Sequence, residues 1–422
     1  MTQTKPRSLW AILGNASMLL YIVWLMLPAV QTTGRAVTGV LAVILFGAAV
    51  LADGETLPKH WLTFLPRIAF AALLPLALYF FVGRGGSNLA GYYAQQGMFW
   101  FPLLWCAYAR ERDDDRLYRF VWQTMLAAMV VTTLTTIGWL IEGMLREPGR
   151  VYAYSRSLGF GEEGREAYLK ELMQRNIGGY DFVYATVLAL PMTFFAAAKS
   201  RGWARAGFSC FYAAQVVMIV LSQYTYAIVF AAGVTAVELM ALLLRAMFKR
   251  LTVGVSMLCT LPLFLALWLC RVPLLTLAGS VAAKIGFENA QYSLNQLLTL
   301  LEGGAVDSGS RLDAYRLSWQ AFKASPLLGA MSGAARALGM HSDLLDLFAG
   351  LGVVGAAAFG LGAWGIGRGS LKGVFHCEAR AQLLLQWLVF LSCMAVGTVF
   401  YSRELTLVMC LCATFALRKE KA

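Results

Sequence analysis

The sequence predicts an all-α protein, a polytopic bundle of about twelve helices that cross a membrane. Three observations predict it. Of the 422 residues, 59% are hydrophobic and only 14% are charged, where soluble domains carry roughly 25% charged residues. Mean hydropathy is +0.63. The apolar residues gather into runs of about 18 to 25, each long enough as a helix to cross a hydrocarbon core of about 30 Å. The short alternating segments of a membrane β-barrel do not occur.

In chain order, the apolar runs predict helices over 11–30, 36–52, 67–83, 97–109, 118–142, 181–198, 204–221, 225–244, 252–270, 343–365, 381–400 and 405–417. The first run carries no small-residue cleavage site and reads as a retained helix rather than a signal peptide. The whole chain, 1–422, reads as one integral membrane domain.

Lys and Arg set the orientation, because short basic loops stay in the cytoplasm. The segments "TKPRS", "LPKHWLTFLPR", "ARERDDDRLYR", "KSRGWAR", "RAMFKR", "GRGSLKGVFHCEAR" and "RKEKA" each hold at least two positive charges. The short turns on the other side hold Arg35, Arg84 and Arg403, one apiece. Both termini are therefore predicted to be cytoplasmic. Two long connections, 143–180 and the larger 271–342 with its amphipathic helices, are predicted outside. The same asymmetry accounts for the net charge of +12 with no nucleic-acid partner.

Cys106, Cys210, Cys259, Cys270, Cys393, Cys410 and Cys412 lie in or beside apolar runs, and Cys377 lies in a basic loop. Buried free thiols are the expected state. "RDDDR" at Arg112 to Arg116 is acidic enough for a metal, but its arginines and its predicted cytoplasmic side favour a solvated charge run. "AGLGVVGAAAFGLGAWGIG" lies inside an apolar run, so its glycines predict close helix packing rather than a phosphate loop.

Of the three histidines, His60 and His376 fall in basic loops, and only His341 falls on the predicted outer side. Ser342 can cap a helix beginning at Asp343, and Asp343 and Asp346 occupy a first turn that favours negative charge. A helix N-terminus disfavours imidazolium, one aspartate could fix the tautomer, and a neutral, oriented imidazole is what a general base requires. The bland alternative is a solvated loop histidine.

Upstream lies "DSGSRLDAYRLSWQAFKASPLLG". Ser310 and Asp313 resemble a capping box, Leu312, Tyr315, Trp319 and Phe322 have helical spacing, and Ser325–Pro326 ends the helix. Arg311 stands on the first turn, where a cation is favoured only beside an anion. Free backbone N–H groups and a guanidinium there suit a diphosphate. Arg316 lies about 140° further round the helix and could simply pair with Asp313 at i, i+3.

This pattern resembles the superfamily of O-antigen ligases and Wzy-type polysaccharide polymerases. The residues that carry the resemblance are Arg311, Trp319, "SPLLG", the pair His341–Ser342 opening a membrane helix, and "GLGVVG"; "RNIGGYDFVYATVLALP", from Arg175, is similar to the start of the middle helix of the polymerases. Two positions depart from the pattern. Ser342 stands where the family often has Asn, and "LSQYTYAIVFAAG" lacks the arginine that ligases carry after the seventh helix.

The resemblance implies a GT-C-like fold in a bacterial inner membrane. It implies transfer of an undecaprenyl-diphosphate-linked oligosaccharide to an acceptor sugar hydroxyl on the extracytoplasmic face, without metal or cofactor. His341 would be the base and Arg311 the diphosphate holder, with Arg175 and Arg316 as candidates for a second cation. A polymerase of repeat units is the leading expectation, with a chain-length regulator as a further candidate partner, and an O-antigen ligase is the alternative. A flippase should place charges deep in its helices, whereas here they gather at helix ends and on the outer face.

Overall fold

A computed structural model describes residues 9–52, 101–102, 105, 115–147, 149, 151, 154, 162–248, 253–260, 262, 269–302, 311–329, 338–339, 341–371, 377–397, 399 and 402–416. Among them every regular element is helical. The helices are α1 (Leu9–Met26), α2 (Pro28–Ala52), α3 (Asp115–Arg146), α4 (Glu162–Gln174), α5 (Tyr180–Lys199), α6 (Gly202–Ser222), α7 (Thr225–Met247), α8 (Val253–Leu258), α9 (Arg271–Lys284), α10 (Glu288–Leu301), α11 (Arg311–Ala324), α12 (Asp343–Leu371), α13 (Cys377–Val396) and α14 (Arg403–Ala416).

Among the described residues, five stretches are long and apolar enough to cross a membrane: Phe120–Arg146, Tyr180–Lys199, Gly202–Ser222, Thr225–Met247 and Glu378–Val396. Ile12–Met26 and Val37–Leu51 are shorter apolar helices. The predicted span 67–83, almost all of 97–109, and 252, 261 and 263–268 of the predicted span 252–270 lie outside the described residues. Six described cysteines are free thiols, as expected, but only Cys393, Cys410 and Cys412 are buried; Cys210, Cys259 and Cys270 are exposed.

The chain divides into two compact units, each built from separate stretches. The first comprises Met1–Ala128, Arg311–Gly373 and Met394–Ala422. Here the predicted turn near 31–35 is displaced: α1 and α2 meet at Leu27, and Gln31 to Arg35 are helical. Pro28 explains the shift, since at the first helical position its missing N–H leaves no bond unmade and its fixed φ suits the helix. Leu27 is held on both sides, donating to Val23 O at 3.2 Å and accepting from Val30 N at 2.9 Å.

The second unit comprises Met129–Ser310 and Val374–Cys393. Its centre is α5, buried along most of its length from Phe182 to Ala196. Polar side chains join its helices. On α13, Glu378, Gln382 and Gln386 recur every four residues and share one face. Glu378 bonds Lys199 of α5 (2.5 Å) and Arg245 of α7 (2.9 Å). Gln382 donates to Glu238 of α7 (3.0 Å), and Gln386 to Leu188 O of α5 (2.9 Å). Leu188 follows Val187, whose carbonyl Pro191 deprives of its helical N–H donor.

Glu238, only 1% exposed, corrects the expectation that charge stays at helix ends. Three basic segments that the charge rule groups together, at Lys199, Arg245 and the start of α13, do converge at one end of this unit.

At other contacts of the unit, α4 ends in a left-handed Asn176 (φ 59°). Ile177 N donates to Leu172 O (2.9 Å) and Asn176 N to Met173 O (2.9 Å), the bond pair that satisfies the last carbonyls of a helix. That turn docks on threonines of α3. The Asn176 amide donates to Thr132 (3.0 Å), Thr135 donates to Asn176 O (2.6 Å), and Gly178 N donates to Thr136 (2.8 Å).

Candidate functional site

In the first unit, α11, the start of α12, and residues 394–397 with Val399 form one junction. The predicted apolar face of α11 is rotated slightly. Ser318 and Ala321 are buried, whereas Trp319 is 48% exposed and stacks on Phe322. Phe322 meets Phe348 of α12 edge-on, with ring centroids 6.1 Å apart. Tyr315 commits its hydroxyl to the end of α13, donating to Val396 O at 3.0 Å.

Ser318 is the polar node. Its hydroxyl donates to Asp346 Oδ1 (2.5 Å) and accepts the Gly339 N–H (2.8 Å). Gly339 must be glycine, because a Cβ there would lie 1.8 Å from Ala314 O; the loop backbone rests directly on α11.

Further along, Ser342 caps α12 as the sequence predicts. It accepts the Leu345 N–H (3.2 Å) and donates to Ala395 O (2.7 Å). Asp343 donates its N–H to Gly397 O (3.1 Å), and its carboxylate accepts the Val399 N–H (2.6 Å). Both first-turn carboxylates therefore tie α12 to its neighbours.

His341 stands exposed between the Gly339 contact and the Ser342 cap. Arg311 opens α11, one helical turn before Ala314. One turn spans about 5 Å and two extended residues at most about 7 Å, so with Gly339 seated on Ala314 the backbones of Arg311 and His341 lie within about 17 Å. The Arg311 side chain and Ser310 are outside the described residues.

The two glycine motifs of the sequence interlock. Predicted as one helix from 343, α12 is broken at Gly352 (φ 64°, ψ −176°), a conformation open essentially to glycine alone. The turn that ends α11 fills the break: Val353 N donates to Pro326 O (2.8 Å) and Val354 N to Leu327 O (3.3 Å). Gly329 (φ 60°) approaches from the other side, where a Cβ would lie 2.6 Å from Gly350 O. "SPLLG" and "GLGVVG" are thus two halves of one backbone contact, not helix packing alone.

The other candidate cations have local partners. Arg316 pairs with Asp313 (3.4 Å) on the exposed side of α11, the i, i+3 pair anticipated from spacing. Arg175 belongs to the second unit, where it pairs with Glu171 (2.9 Å) and lies 4.7 Å over the Trp139 ring. Nearby, burial pushes the Tyr168 hydroxyl up to about 12, so it stays protonated and donates to Tyr154 O (3.2 Å).

Sequence reasoning missed Ser318, Gly339 and Glu238. Nothing local marks Ser318, whose partner Asp346 lies far along the chain; Glu238 could have been found as the one carboxylate inside an otherwise apolar run. Among the described residues no group of three or more His, Cys, Asp or Glu is placed to hold a metal ion. Compared with known proteins, the chain matches no family model and no curated relative.

Proposed function

We propose that this chain is a membrane glycosyltransferase that joins undecaprenyl-diphosphate-linked repeat units into a polysaccharide, and that the α11–α12 junction is its transfer site. The observation that supports the reading is the seating of Gly339 on Ala314, which leaves the backbone of an exposed His341 within about 17 Å of that of Arg311. In the proposed step the acceptor hydroxyl attacks the anomeric carbon and loses its proton to His341. The bond from that carbon to the diphosphate oxygen breaks, and the electron pair leaves with the diphosphate, whose growing charge Arg311 and the first N–H groups of α11 stabilise. Back-side attack inverts the anomeric centre.

The twelve-helix, GT-C-like layout with cytoplasmic termini and the site on the extracytoplasmic face of the inner membrane belong to this same proposal. Arg316 and Arg175 serve it less well, since each is engaged by a neighbouring carboxylate.

One observation favours a second reading. Glu238, buried within a membrane-length helix, is the kind of group that transport of the same lipid-linked glycan would use. Purified protein in vesicles, supplied with a defined lipid-linked repeat unit, separates the readings when the products are sized. Longer lipid-linked chains support the polymerase. Movement of the unit across the bilayer without elongation supports transport, and transfer only onto an added non-repeat acceptor supports a ligase.

A further inference from the structure

Helix α9 presents three faces, which follow from its turn of about 100° per residue. The buried positions are Gly279 and Ala282; Gly279 packs toward α10, where Asn295 Oδ1 would lie 3.3 Å from an added Cβ. Roughly 125° away on the wheel, Leu274, Leu277, Val281 and Ile285 are 40%, 62%, 49% and 47% exposed. A third face, about as far again round the helix, carries Thr276 and Ser280, each bonded back to its own helix through Val272 O and Thr276 O.

The position of the hairpin names what covers the apolar face. Gly286 (φ 75°) turns the chain from α9 into α10, with Phe287 N donating to Ala282 O at 2.8 Å. Phe287 and Ala290 then pack against Leu140 of α3, with Val220 and Leu221 of α6 alongside. Asn289 donates to Gln223 O (3.2 Å), at the turn joining α6 to α7. Those contacts lie at the ends of three membrane-length helices, whose own outward surface is also apolar, with Val217 and Val229 45% and 51% exposed. The exposed stripe of α9 thus sits on a hairpin that packs at the ends of apolar, membrane-length helices.

We propose that α9 lies in the plane of the membrane surface, with Leu274, Leu277, Val281 and Ile285 among the acyl chains of the adjoining leaflet and Thr276 and Ser280 toward water. Lys284, exposed beside the stripe, reaches the phosphate headgroups. The α9–α10 hairpin is then anchored on lipid as well as on protein, independently of the chemistry at His341.

The test uses the full-length protein in phosphatidylethanolamine and phosphatidylglycerol vesicles, with photoreactive benzoylphenylalanine in place of Leu277, Val281, Thr276 or Ser280, one at a time. Yields are referred to the same probe at Leu239, an exposed position within α7. Phospholipid adducts at 277 and 281 comparable to that at 239, with none above background at 276 and 280, are expected. Adducts to a second copy or to another segment of this chain at 277 and 281, equal lipid labelling at all four positions, or no lipid labelling at 277 and 281 would each overturn the proposal.

Discussion

Each of the two units is held together internally by a different chemistry. In the first, the defining contacts run from backbone to backbone: the α11 turn fills a break in α12, and Gly339, Gly329 and Gly352 sit where a methyl group would strike a carbonyl. In the second, side chains reach across: Gln382 to Glu238, Gln386 to a backbone carbonyl, Lys199 and Arg245 to Glu378. A backbone contact tolerates no added atom, whereas a side-chain contact can be cut at the cost of its bond and of any buried partner left unsatisfied. The first kind suits a site whose loop must be held to a fraction of an ångström; the second suits a scaffold.

The largest expected effect tests that distinction directly. Gly352→Ala forces a side chain into a glycine-only conformation and puts its Cβ 2.2 Å from Leu327 O, which should cost about 3 kcal/mol or more and leave little folded protein by size-exclusion in detergent. Gly360→Ala in the same helix meets nothing within 4 Å and should leave the melting temperature unchanged or raised. Equal behaviour of the two would remove the backbone interlock.

Next comes the node at Ser318. Ser318→Ala takes a donor from Asp346 and an acceptor from Gly339 and should cost about 1–3 kcal/mol of stability, read as a lowered melting temperature. In the second unit, the coupling between Glu238 and Gln382 from a double-mutant cycle should be smaller, about 0.6–1.7 kcal/mol, as for hydrogen bonds between helices within membranes. A coupling near zero would show that the bond does not hold α7 to α13.

Much of the second unit was legible in the sequence. The runs 181–198, 204–221 and 225–244 became Tyr180–Lys199, Gly202–Ser222 and Thr225–Met247, because the length of an apolar run is read directly along the chain. Local pairs were legible too, such as the Ser342 cap and the Arg316–Asp313 pair, since their partners lie within a turn. The displaced turn at Pro28 was missed because hydropathy does not register a proline at a helix start. The break at Gly352 was missed because a glycine in an apolar run looks the same whether a helix packs on it or another backbone enters it. At the candidate site, His341 and Arg311 were visible by residue type, but the contact between the 339 loop and α11 depends on Ser318 and Gly339, whose partners are set only by the fold.

The smallest effect is expected from Arg316→Ala, which removes an exposed pair that is 63% and 53% solvent-accessible. Stability should change by less than about 1 kcal/mol, and the rate of chain growth should stay near that of the unmodified protein. A large loss of rate would return Arg316 to the diphosphate site.

The central claim is that His341 takes the proton from the attacking hydroxyl. Its most direct test is the initial rate of chain growth by His341→Ala in vesicles supplied with a defined lipid-linked repeat unit. Because the side chain is exposed, folding and melting temperature should be retained while the rate falls by about 10²–10⁴-fold. A folded variant that extends chains at the unmodified rate would contradict the account.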